Sequence, residues 1–138
     1  MDNRNKLRPH SMTLEKLDHF VLPVSDIDTI ATFYTTYLGM EKRVFGEGRV
    51  ALHFGDQKIN LHPAGWDYEP KARVSIPGTG DLCFVVSEPV EALQKQLEQR
   101  GIEIIEGPVL RTGATGRLRS IYIRDPDGNL IELSNSVE

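Results

Sequence analysis

One stretch of this chain occurs twice, and the duplication restricts the possible folds more than any other feature. HFVLPVSDIDTIATFYTTYLGME, starting at His19, aligns without a gap on DLCFVVSEPVEALQKQLEQRGIE, starting at Asp81. Val24 matches Val86, Ser25 matches Ser87, Asp26 matches Glu88, Gly39 matches Gly101 and Glu41 matches Glu103. Each copy reads as a strand, a helix, a glycine stop and a second strand. The copies realign at their far ends, where INL at 59–61 resembles IEL at 131–133. The extra residues of the second copy fall in RTGATGR, whose glycines mark a loop. The chain therefore reads as α+β, two βαβββ modules in tandem.

Local chemistry supports that division. Ser25 reads as the cap of the first helix, with Asp28 three residues on. Ile27, Ile30, Ala31, Tyr34, Tyr37 and Leu38 recur at helical spacing up to Gly39. In the second copy Ser87 is the expected cap, Val90, Leu93 and Leu97 share a face, and Gly101 ends the helix. Val50, Leu52 and Phe54 alternate before a Gly55-Asp56 turn, and Ile121 and Ile123 precede a turn at Asp125-Pro126-Asp127-Gly128. The expected organisation is a leader at 1–13, with Met12 as a possible alternative start, and one domain at 14–136. That domain divides into a module at 14–63, a linker at 64–80 and a module at 81–136.

Strand parity assigns faces, because side chains alternate across a strand. Phe20, Leu22 and Val24 form a helix-facing side, as do Leu82, Phe84 and Val86, Ile59 and Leu61, and Ile131 and Leu133. The opposite faces then carry His19, Asn60, His62, Asp81 and Glu132. Burying so many polar groups without partners is costly, and a divalent cation held by imidazole and carboxylate compensates. Each residue also has a plainer reading. His19 can be a satisfied core histidine, Glu132 can pair with Lys58, Asp81 can cap the turn after Gly80, and His62 can simply end a strand before Pro63. Cys83 reads as a small buried hydrophobe. Arg111, Arg117 and Arg119 flank the glycine loop and suit an anionic substrate, or else they are solvated surface arginines. Trp66 either covers the pocket or packs beside it.

Composition narrows the function classes. The net charge is -4, with no basic cluster for nucleic acid, and one cysteine excludes an internal disulfide. No apolar run reaches membrane-spanning length, and the polar start lacks a signal peptide's apolar core. These features lead us to expect a cytoplasmic protein.

LDHFVLPVSD, FYTTYLGME and RDPDGNLIEL resemble the vicinal-oxygen-chelate superfamily of glyoxalases, extradiol dioxygenases and bleomycin-binding proteins. The likeness runs from about Leu14 to Ser134. FGDQKINLH, EPKA, IIEGPV and RTGATG resemble more narrowly the glyoxalase-domain-containing protein 5 group and an enterobacterial virulence-associated member. The resemblance implies the glyoxalase/bleomycin resistance/dioxygenase fold, a curved mixed sheet around a metal pocket. It places one divalent ion (Zn, Ni, Co, Mn or Fe) on the first and last strands of each module, at His19, Asn60, Asp81 and Glu132, and His62, on the same face as Asn60, is a further candidate ligand. It departs from the commoner pattern at Asp81, where many members have histidine, and at Asn60, where glyoxalase I has glutamate. An amide is a poor ligand and cannot serve as a general base, which leaves Glu132 as the catalytic candidate and Asn60 to the substrate. The expected function is a lyase, isomerase or dioxygenase acting on a small oxygen-chelating substrate. A metal-free binding protein of the bleomycin-resistance type is the alternative. A homodimer is expected, with no nucleic-acid or membrane partner, and the pocket belongs to one chain or is shared by two.

Overall fold

A computed structural model describes residues 12–138. Most of the leader, residues 1–11, lies outside the described residues, and Met12 and Thr13 are exposed and carry no helix or strand. The first module runs β1 (His19–Val24), α1 (Ile27–Leu38), β2 (Glu41–Phe45), β3 (Arg49–Phe54) and β4 (Gln57–Pro63). The second runs β5 (Asp81–Val85), α2 (Val90–Gln99), β6 (Glu106–Thr112), β7 (Arg117–Arg124) and β8 (Leu130–Val137). Each module makes one mixed sheet, in the orders β1-β4-β3-β2 and β5-β8-β7-β6. Among the described residues the sheets do not close into a barrel.

The repeat is kept down to register. β1 runs parallel to β4 with Val21 opposite Asn60, and β5 runs parallel to β8 with Cys83 opposite Glu132. In both modules the remaining pairings are antiparallel.

Apolar residues on the helix-facing sides account for the packing. Leu22, Val24, Ile59 and Leu61 are buried in one cluster with Ile121, Ile123, Ile131 and Leu133. Phe54 meets Phe84 edge to face, with centroids 5.3 Å apart. Ile30, Ala31 and Tyr34 supply the buried face of α1, and Tyr34 donates to Asp125 at 2.7 Å in the other module. Asp125 also accepts from Asn129 and from the Asp127 N–H, so the buried carboxylate is fully engaged. The modules thus share one core.

Both helix starts differ from expectation. Asp26, not Ser25, caps α1, accepting from the Thr29 N–H at 2.9 Å, while Ser25 donates its backbone N–H and hydroxyl to Asp127. At α2, Ser87 is no cap. Pro89 stands at that position, and Asn135 of β8 accepts from the Val90 N–H at 2.8 Å. The helix ends are as expected, with α1 stopping at Gly39 in the left-handed conformation (φ 69°). No helix among the described residues is long and apolar enough to cross a membrane.

Candidate functional site

The face of the first sheet turned from the helices begins with His19 on β1. Its side chain is 42% exposed, and its Nδ1 lies 2.7 Å from the Asp18 carboxylate. That hydrogen bond holds the Asp18 carboxyl below its usual range. With Nδ1 engaged, Nε2 is the nitrogen left for another partner, the arrangement by which a carboxylate orients a metal-binding imidazole. One strand over, Asn60 is buried, and its Oδ1 has no hydrogen-bond partner among the described residues. An orphaned buried acceptor is costly and calls for an explanation. His62, two positions further on the same face, has a buried Nε2 in the same condition. Its ring stands edge-on to Tyr68 of the linker, and burial, reinforced by the charges of Lys71 and Arg49, pushes its basicity down.

The second sheet presents the matching pair. Asp81 is exposed at the start of β5, and half-buried Glu132 lies diagonally across from it on β8. Glu132 Oε2 accepts from the Ser120 hydroxyl at 2.6 Å and more weakly from Ser134 at 3.4 Å. Ser134 in turn contacts Ser120 at 2.7 Å and the Cys83 thiol at 3.3 Å. Cys83 is exposed rather than buried, because β5 is an edge strand and the residue sits on its open face. Partial burial, with the nearby Glu132 and Asp81 carboxylates adding, still pushes its thiol up. Tyr122 stands opposite Glu132 in register and accepts from Arg111 Nε at 3.0 Å. Burial outweighs that bond and raises the phenol.

The three arginines separate. Arg111 reaches the open face and also pairs with Glu106 at 2.7 Å. Arg119 pairs with Glu91 of α2, on the helix side. Arg117 donates to the Glu138 carbonyl at the chain's end. Sequence reasoning passed over Ser120 and Tyr122, although continuing strand parity along β7 would have placed both beside Glu132.

What one chain brings together is two half-sets, His19 with Asn60 and Asp81 with Glu132. Among the described residues no three His, Cys, Asp or Glu side chains gather closely enough to hold an ion. A cleft of about 610 Å³ runs between β1 and β5, with part of the linker over it. His62, Asp81 and Cys83 line it, whereas His19, Asn60 and Glu132 do not. Trp66 is exposed and stands outside this cleft.

Residues 16–133 match the Glyoxalase/Bleomycin resistance protein/Dioxygenase superfamily. The chain is 53% identical to virulence protein STM3117 of Salmonella typhimurium over 126 residues, 91% of this chain and 88% of that protein. The crystal structure of that protein superposes with a TM-score of 0.89, covering 91% of this chain and 100% of the other. The glyoxalase domain-containing protein RDO1 of Mycosarcoma maydis is 53% identical over 124 residues, 90% of this chain and 70% of RDO1. More distantly, glutathione transferase FosA of Serratia marcescens is 29% identical over 124 residues, 87% of this chain and 80% of FosA.

Proposed function

Because the chain belongs to the Glyoxalase/Bleomycin resistance protein/Dioxygenase superfamily, we propose that it is a divalent-metal enzyme whose site is completed between two chains. His19 and Asn60 of one protomer would face Asp81 and Glu132 of its partner in a homodimer. The observation that carries this reading is the identical placement of the two half-sets, diagonal across β1–β4 and β5–β8, with the Asn60 Oδ1 buried and unsatisfied. Among the described residues of one chain no three His, Cys, Asp or Glu side chains join the half-sets into one cluster.

The donor set suits a divalent ion such as Zn, Ni, Co, Mn or Fe, being one imidazole, two carboxylates and an amide oxygen. When bound there, such an ion would supply Lewis-acid stabilisation of negative charge on a small molecule's oxygens, chemistry that lyases, isomerases and dioxygenases use. The chain's own residues do the rest. Asp18 fixes the His19 ring through Nδ1. Ser120 and Ser134 hold one oxygen of Glu132 and leave the other for the ion or, once released from it, for a proton. Asn60 cannot serve as a base, so proton movement would fall to the carboxylates, and first to Glu132, which the serine hydroxyls position. Arg111, through Tyr122, supplies positive charge close to that carboxylate.

Metal-free sequestration of a small molecule is the second reading, favoured by the absence of a three-donor cluster among the described residues of one chain. Elemental analysis of protein purified without chelator or metal-affinity resin separates the two. About one equivalent of a transition metal per chain is the expected result, and metal-free protein that still binds small ligands would establish sequestration.

A further inference from the structure

Polar groups from β3, β4 and the linker, outside the donor set proposed above, gather along the cleft. Arg49 opens β3 on the same face as Asn60 and His62. Its guanidinium lies over the Phe45 ring and the Tyr68 ring, 4.7 and 4.6 Å from their centroids. Stacking of this kind occupies the flat face of a guanidinium and leaves its edge N–H groups for a planar acceptor. No carboxylate among the described residues supplies that acceptor to Arg49, nor to Lys71, whose contact is a long 3.4 Å bond to the Trp66 carbonyl. His62 lines the same cleft, with its buried Nε2 unsatisfied. Arg49, His62, Tyr68 and Lys71 all line the same cleft, and Asp81 lines it too, beside one half-set of the proposed metal site.

We propose that Arg49, Lys71 and His62 form an oxyanion subsite, which takes a carboxylate or phosphate group of the small molecule the protein handles. Two cations that form no ion pair among the described residues and an unsatisfied ring nitrogen along one cleft are what such a group would satisfy. Only the identification of that molecule as substrate rests on the reading above; the subsite itself needs neither metal nor dimer.

The test uses chelator-stripped wild-type protein, so that an error in the metal assignment cannot produce a negative result. Calorimetric titration with succinate and, separately, with inorganic phosphate measures the subsite, with neutral succinamide as the control. We expect saturable binding of at least one anion, none of succinamide, and about a tenfold weakening in both Arg49→Gln and Lys71→Ala. Tighter succinate marks a carboxylate ligand and tighter phosphate a phosphorylated one. Lys71 is exposed on the linker, so its variant decides the matter should Arg49→Gln unfold. Failure of both anions to saturate, or wild-type affinity in both folded variants, would overturn the proposal.

Discussion

Asn60 and His62 stand two positions apart on β4, and each buries one polar atom that nothing among the described residues satisfies. For Asn60 this sets stability against function. Leucine has the same branched shape and removes the orphaned acceptor, so Asn60→Leu should raise unfolding stability by about 1 kcal/mol in urea titrations while weakening metal retention. Glu132 is the converse case. Its carboxylate accepts hydroxyls from Ser120 and Ser134, which can turn to each other when it is removed. Glu132→Ala is therefore expected to lose bound metal and turnover with a stability change of only about 1 kcal/mol, read from the same titrations. Collapse of the fold would mark the glutamate as structural instead.

The elements were legible where their signals were local. The glycine stops, the Gly55-Asp56 turn and the alternation along β3 and β4 all lie within a few residues of what they control. Helix starts were not, because their partners come from elsewhere in the chain. Asp127 draws the Ser25 hydroxyl away from α1, and Asn135 caps α2 from a strand 45 residues further on. Asn135 also donates to the Val86 and Glu88 carbonyls, so Asn135→Ala should cost about 1–2 kcal/mol and fray α2, visible as faster amide exchange at Val90. β6 carries an irregularity of the same non-local kind. Its register slips between Glu106 and Val109, and a Cβ on Gly107 would meet the Ser120 carbonyl oxygen at 2.3 Å. Gly107→Ala is expected to cost about 2 kcal/mol or more and to shift Ser120, the donor to Glu132, so metal affinity should fall with the melting temperature.

For the whole molecule, the duplication gives each module its order and register but says nothing about how two modules pack. Strand parity places His19, Asn60, Asp81 and Glu132 opposite the helix-facing residues, yet could not show that both helix-facing sides enter one core. The Tyr34–Asp125 hydrogen bond and the Phe54–Phe84 contact tie the modules together there. Nor did the linker's composition reveal that Tyr68 stacks on Arg49. In the proposed homodimer the complement of each half-set would come from the second chain, and a two-fold axis would supply it twice. Subunit complementation tests that arrangement directly. His19→Ala and Glu132→Ala each break both sites of their own homodimer. Co-refolded in equal amounts, they form mixed dimers in which one site is wholly wild type and the other doubly broken. Since about half of the dimers are mixed, metal content and activity should return to about a quarter of the wild-type level. A mixture as empty as either variant alone, while co-purification through an affinity tag carried by one variant only confirms mixed dimers, would contradict a site shared between chains.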